Sequence, residues 1–200
     1  MKAYIFLRFK RSVILLGAWG FYMFKCFYPS IRINSAYEID YTKLYQKGCR
    51  CLIFDIDNTL VCHGKPQNEK SLPFLKDLKA KGFKILFLSN NKEERVKSFN
   101  DPLGADYIYK AGKPGPKNYI KAYEKVGEKR ETTVFIGDQL FTDIWGANRA
   151  GIYSILTKPI DRHEEIQIIL KRRLEKIVLF AYDRGVKNGK IKVREYGEQL

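Results

Sequence analysis

The sequence predicts an α/β fold: a parallel sheet sandwiched between helical layers. Three observations carry this. Five short apolar runs alternate with stretches of helical spacing, each run is followed at once by polar residues or glycine, and the intervals between runs leave room for one crossover helix each. Strands joined in this way lie parallel, with right-handed crossovers.

The first strand covers 50–55 and contains the apolar run Cys51-Leu-Ile-Phe54. A polar loop from His63 to Asn68 follows, and Leu72, Leu75 and Leu78 then predict a helix over 69–81. Pro73 is tolerable near that helix's first turn, and Gly82 stops it. Residues 83–88 form the second strand and run straight into Ser89-Asn90-Asn91, before a helix over 92–100. A short third strand, 106–109, leads to Lys113-Pro114, and 117–126 is helical with Tyr119, Ile120 and Tyr123 on one side. The fourth strand, 132–136, ends in Gly137-Asp138; a helix over 139–150 closes at Gly151, and 152–156 is the fifth strand. Ile166, Ile169/Leu170, Leu174, Ile177 and Phe180/Ala181 then recur at helical spacing over 161–183. This basic amphipathic helix reads as a cover for the open sheet, with an anionic membrane as the alternative contact. Residues from 185 onward read as a frayed polar tail. The chain thus divides into a lead-in (1–48), a core (49–160) and a C-terminal helix with tail (161–200).

Two hundred residues suffice for one full hydrophobic core with appendages. The net charge of +15 is densest ahead of the core, with nine Lys/Arg against two acids in 1–50, 17 against 13 in 51–157 and 11 against 7 in 158–200. Such a balance suits an anionic partner. Residues 13–24 are the most apolar stretch, yet they fall short of the ~20 residues that span a bilayer. With Lys2, Arg8, Lys10 and Arg11 before it and Trp19, Phe21 and Tyr22 within it, this stretch reads as an uncleaved segment lying in a membrane interface. Cys26, Cys49, Cys51 and Cys62 do not form a secreted disulfide framework and lack paired C-x-x-C spacing. They read as reduced cysteines of a cytoplasmic protein, with Cys49 and Cys51 sharing a strand face. Peripheral association with the membrane is the expected location.

Function is concentrated at the strand ends. Asp55 and Asp57 follow the first strand, and two carboxylates packed together in a partly desolvated place call for a hard cation such as Mg²⁺. Ser89 with Asn90 and Asn91 follows the second strand, Lys113 the third, and Asp138 with Asp143 the fourth. In a parallel sheet these ends share one edge, the edge where ligands bind. Carboxylates for a cation, a hydroxyl and amides for phosphate oxygens, and one ammonium together fit phosphoryl transfer.

Asp55-Ile-Asp57-Asn58-Thr59-Leu60, Ser89-Asn90, Lys113-Pro114 and Gly137-Asp138-Gln-Leu-Phe-Thr-Asp143 resemble the four ordered motifs of the haloacid dehalogenase (HAD) superfamily phosphatases. The residues 89–97, the later Arg172-Arg173-Leu174 and the spacing of Pro29, Ser35, Tyr37, Ile39 and Asp40 are similar to the YqeG-like branch, whose members act as phosphatidylglycerophosphate phosphatases. The resemblance implies a Rossmann-like three-layer HAD fold. It implies that Asp55 is the nucleophile and Asp57 the acid/base. Mg²⁺ would be held by Asp55, Asp138, Asp143 and the backbone carbonyl of Asp57. Ser89, Asn90 and Lys113 would hold the phosphate, and Thr59 would buttress the loop. Only 31 residues separate Asp57 from Ser89, and 24 separate Lys113 from Asp138, so no large cap domain is expected. An uncapped site suits a substrate presented by something large, such as a phospholipid headgroup at an anionic membrane surface. A nucleic-acid end or small-molecule phosphatase is the alternative enzyme. A nucleic-acid partner is not expected, because no aromatic platform interleaves the site. A catalytically inactive membrane-binding module is the non-enzymatic alternative.

Overall fold

A computed structural model of the chain describes residues 24–161 and 166–197. The apolar lead-in segment ahead of residue 24 lies outside them. The sheet has six strands: β1 (Ile31–Ile33), β2 (Cys51–Phe54), β3 (Lys84–Leu88), β4 (Asp106–Ile108), β5 (Thr133–Gly137) and β6 (Tyr153–Thr157). All pairings are parallel, in the order β1-β6-β5-β2-β3-β4. Helices α1 (Tyr41–Gln46), α2 (Ser71–Ala80), α3 (Glu93–Asn100), α4 (Lys117–Lys125), α5 (Trp145–Arg149) and α6 (Ile166–Lys187) complete the layers.

The strand faces sort the core. Leu52, Phe54, Phe87, Val134, Ile136 and Ile155 pack with Leu75, Leu78, Val96 and Phe99 of α2 and α3. Cys51, Ile53, Leu86, Leu88 and Phe135 pack on the opposite face against Tyr119 and Ala122 of α4 and Ala147 of α5. Continuous burial of β2 and β5 is the signature of strands covered on both faces, and it produces near-unbroken apolar runs in the sequence. Cys49 falls in the first of these layers and Cys51 in the second, so the two do not share a face. All four cysteines are free thiols.

Three parts of the chain differ from expectation. The lead-in contributes a sixth strand, β1, paired to β6 from Ile31↔Ile155 to Ile33↔Thr157. Three residues are too few for alternation to mark a strand, and β1, unlike β4, has no strand–helix alternation ahead of it in the sequence to frame it. The polar tail is tied down: buried Tyr196 donates from its hydroxyl to Glu131 O at 2.7 Å and stacks edge-on against Tyr153. The third difference concerns α6, which packs through Glu175, Val178 and Tyr182, while Leu170, Leu174, Ile177 and Phe180 are 53–67 % exposed. The apolar repeat visible in the sequence is therefore the solvent-facing stripe, and the packed face carries a carboxylate.

From β2 the chain steps outward through β3 and β4 on one side, then returns to β5 beside β2 and continues to β6. The order reverses between β2 and β5, the place where an open α/β sheet parts its loops into a crevice. Phe54 is in register with Ile136 and with Phe87, which sets Asp55, Gly137 and Leu88 side by side at the carboxyl edge.

Candidate active site

Asp55 continues the β2 ladder through its N–H to Ile136 O at 2.9 Å, so its position is set by the sheet. Past it the chain turns sharply. Asn58 has φ 62°, a left-handed conformation that asparagine tolerates, and its N–H donates to Val61 O at 2.7 Å. Lys113 is brought in by the loop after β4. Asn90 holds the Lys113 backbone on both sides, accepting from its N–H at 2.8 Å and donating to its carbonyl at 3.2 Å. The Lys113 ammonium then donates to Asp55 Oδ1 at 2.6 Å and to Asp143 Oδ1 at 2.7 Å.

Asp143 lies in a π-helical turn, Leu140–Ile144, that feeds into α5. Such wide turns concentrate at functional sites because they re-aim one side chain inward. Asp143 Oδ2 accepts the N–H groups of Asp138 at 3.1 Å and Gln139 at 3.0 Å. A Cβ on Gly137 would lie 2.5 Å from that oxygen, so only glycine admits the carboxylate there. Thr59 donates to Asp138 Oδ1 at 3.3 Å.

Asp55, Asp138 and Asp143 are all buried, and each offers an oxygen within 4.8 Å of the others. Burial raises the Asp55 carboxyl well above the usual carboxylate range; Lys113 opposes the rise, and Asp143 and Asp138 add to it. Burial likewise pushes Asp138 up to about 7, against the pull of Arg172 and with the push of Asp143. Burial alone would lower Lys113, but Asp143 and Asp55 hold it above its ordinary value, so it stays an ammonium. Three desolvated carboxylates thus face one ammonium and a guanidinium shared with a fourth acid. The surplus negative charge and the all-oxygen donor set fit a hard divalent cation.

The structure separates Asp57 from this cluster. Its carboxylate accepts from Gly64 N–H at 2.8 Å, Asn91 Nδ2 at 3.0 Å and Arg95 Nη2 at 2.9 Å. Burial would raise it, but the Arg95 and Gly64 hydrogen bonds, the Arg95 charge and Asn91 together hold it below its ordinary value. Ser89 is buried and accepts the Asn91 N–H at 3.1 Å, leaving its own hydroxyl proton available at the crevice floor. Asn90 spends its amide on Lys113, which makes it a support of that loop.

Two charged groups that the sequence marked only as family features, without a role, complete the site. Arg95, in the first turn of α3, pairs with Asp57. From α6, Arg172 reaches the Asp138 carboxylate, donates to the Asp138 carbonyl at 2.6 Å and pairs with Glu175 at 3.1 Å. Glu175 in turn accepts the Leu140 N–H at 2.7 Å, at the opening of the π turn. Arg172 lies 34 positions beyond Asp138, in a helix whose visible pattern advertised another face.

Residues 64–151 match the model of the haloacid dehalogenase-like hydrolases. The chain is 36 % identical over 161 residues to "Probable phosphatase YqeG" of Bacillus subtilis, covering 80 % of this chain and 94 % of that protein. It is 28 % identical over 162 residues to "Phosphatidylglycerophosphate phosphatase 1, chloroplastic/mitochondrial" of Arabidopsis thaliana, covering 76 % of this chain and 47 % of the plant protein. It is 35 % identical over 135 residues to the phosphoglycolate phosphatase of Aquifex aeolicus, covering 62 % of this chain and 58 % of that one. Likeness to the Bacillus protein over nearly its whole length, together with the family match to the segment carrying Ser89, Lys113, Asp138 and Asp143, identifies the chain as a haloacid dehalogenase-like hydrolase of the phosphatase type.

Proposed function

We propose that this phosphatase is Mg²⁺-dependent, works through an aspartyl-phosphate on Asp55, and dephosphorylates phosphatidylglycerophosphate at the cytoplasmic face of an anionic membrane. The observation that carries the chemistry is the buried Asp55 carboxylate at the switch point of the sheet, 2.6 Å from an ammonium and inside a three-carboxylate cluster. Three considerations favour the lipid. The Arabidopsis relative carries that substrate in its name. The crevice has no inserted domain over it among the described residues. The exposed stripe of α6 is flanked by Lys171, Arg173 and Lys176, the pattern of a helix that settles on anionic lipid. Among the described residues, no helix is long and apolar enough to cross a membrane.

Asp55, Asp138 and Asp143 would hold the cation, which when bound offsets negative charge on the phosphoryl oxygens. The Ser89 hydroxyl and the Lys113 ammonium orient the phosphate. An Asp55 oxygen attacks phosphorus, and the bond from phosphorus to the substrate oxygen breaks. Asp57 gives its proton to the departing alkoxide. In the second half, water attacks the aspartyl-phosphate, its proton passes to Asp57, and phosphate leaves with Asp55 restored. The hydrogen bonds on Asp57 keep it ionised at rest, so it takes a proton from solvent and leaves Arg95 as the phosphate dianion arrives.

That coupling predicts a pH effect. In Arg95→Gln the guanidinium no longer favours the Asp57 carboxylate, so its pKa rises. The pH limb of kcat/KM assigned to Asp57 moves in the alkaline direction by about one unit, which is ~1.4 kcal/mol of lost interaction. A profile that stays in place removes Asp57 as the titrating group.

The substrate is decided by measuring phosphate release from phosphatidylglycerophosphate in anionic vesicles, from phosphoglycolate and from a 3′-phosphorylated oligonucleotide, each with Mg²⁺ and with EDTA. Release dominated by the lipid and abolished by EDTA supports the proposal. Turnover confined to the soluble phosphates removes the lipid, and full activity in EDTA removes the cation.

A further inference from the structure

A cleft of about 300 Å³ opens beside Asp138, between the β1–β6 edge and α6. We propose that it binds a phosphodiester carried by the substrate next to the phosphomonoester that Asp55 attacks; this rests on the lipid reading above and deepens it.

The cleft and the acid cluster share Asp138, so the cleft begins one side chain away from the reacting centre. Its walls carry four cations: Arg32 on β1, Lys158 just past β6, and Arg172 and Lys176 on α6. Two are already matched. Arg32 pairs with Asp183, and Arg172 with Asp138 and Glu175. Lys158 and Lys176 form no ion pair among the described residues, and both line the same concavity. Its two acids, Asp138 and Glu175, are the partners of Arg172, and the rest of the lining includes Ile33, Leu156 and Leu179 beside the polar Asn34 and Thr157. Two exposed lysines without an ion pair among the described residues, beside apolar side chains, complement one anion attached to a carbon chain. A simple phosphomonoester has nothing to place there. A diester linked through a glycerol unit to the reacting phosphate supplies both the charge and the carbon.

Glycerophosphoglycerol, a soluble diester without a monoester, tests the cleft without requiring that the lipid be turned over. Its inhibition constant is measured against hydrolysis of p-nitrophenyl phosphate in the wild type, in the Lys158→Gln/Lys176→Gln double variant and in the matching Lys→Arg double variant. The expected result is inhibition of the wild type, an inhibition constant raised about tenfold or more by the two glutamines, and recovery with arginine. No inhibition of the wild type, or equal constants in all three proteins, overturns the cleft. Hydrolysis of phosphatidylglycerophosphate by the wild type is scored separately: if it is absent while glycerophosphoglycerol inhibits as expected, the lipid reading falls and the diester site stands. If glycerophosphoglycerol inhibits all three proteins equally and only vesicle-borne lipid responds to the lysines, the two side chains act on the membrane and the cleft proposal falls.

Discussion

Asp55→Asn abolishes turnover, lowering kcat by at least about 10⁴-fold, because an amide oxygen does not attack phosphorus to form the phosphoenzyme. Acid-quenched protein from ³²P-labelled substrate carries label in the wild type and none in the variant. Loss of folding is excluded by a second measurement. Asn is nearly isosteric with Asp, and it removes one of three carboxylates crowded into a desolvated site, so the variant's melting temperature in EDTA holds or rises. A variant that keeps its activity rules out Asp55 as the nucleophile. A variant that melts earlier shows that the carboxylate holds the structure together and leaves its role in turnover unproved.

Lys113→Met works in the opposite sense on stability. The ammonium is 4 % exposed and is the shared partner of Asp55 and Asp143, at 2.6 and 2.7 Å. Its removal leaves buried carboxylates without their counter-ion, which costs about 3–5 kcal/mol. The loss is largest in EDTA near neutral pH. Asp55 and Asp138 are raised by burial, and losing Lys113 raises both further, so in the variant they take up protons at lower pH and relieve the repulsion; as pH rises the protons leave and the cost returns. Urea titrations at two pH values, with and without added Mg²⁺, measure both effects. Turnover falls by about 10²–10³-fold as well, since the ammonium is the fixed positive charge beside the transferred phosphoryl group. Equal stability of variant and wild type in EDTA at neutral pH contradicts this account of the cluster.

The sheet was legible because its central strands are covered on both faces. Burial on two sides writes an unbroken apolar run, and a parallel sheet then forces the polar residues after each run onto one edge. Asp55, Ser89 and Asp138 could be named for that reason; Lys113 follows a part-exposed edge strand and stood out only as the cation in the loop after it. The remaining features lacked a local signal. β1 is three residues long, and its register comes from β6, more than a hundred positions away. The contact of Arg95 with Asp57 depends on a loop closing over 38 positions. The packed face of α6 holds a glutamate that is useful only because Leu140 presents a bare N–H to it, and hydrophobic periodicity cannot report a buried carboxylate.

The reach of Arg172 and Glu175 also says how much chain constitutes an operative enzyme. The family match begins at residue 64, after Asp55, and stops at residue 151, before the helix that grips Asp138. A fragment cut to those bounds would lack the strand that positions Asp55 and would expose the Asp138 turn to water with neither its guanidinium nor the acceptor at Leu140. Expression trials and deletion maps of this protein therefore have to keep both flanks, since the family match is narrower than the stretch of chain that builds the site.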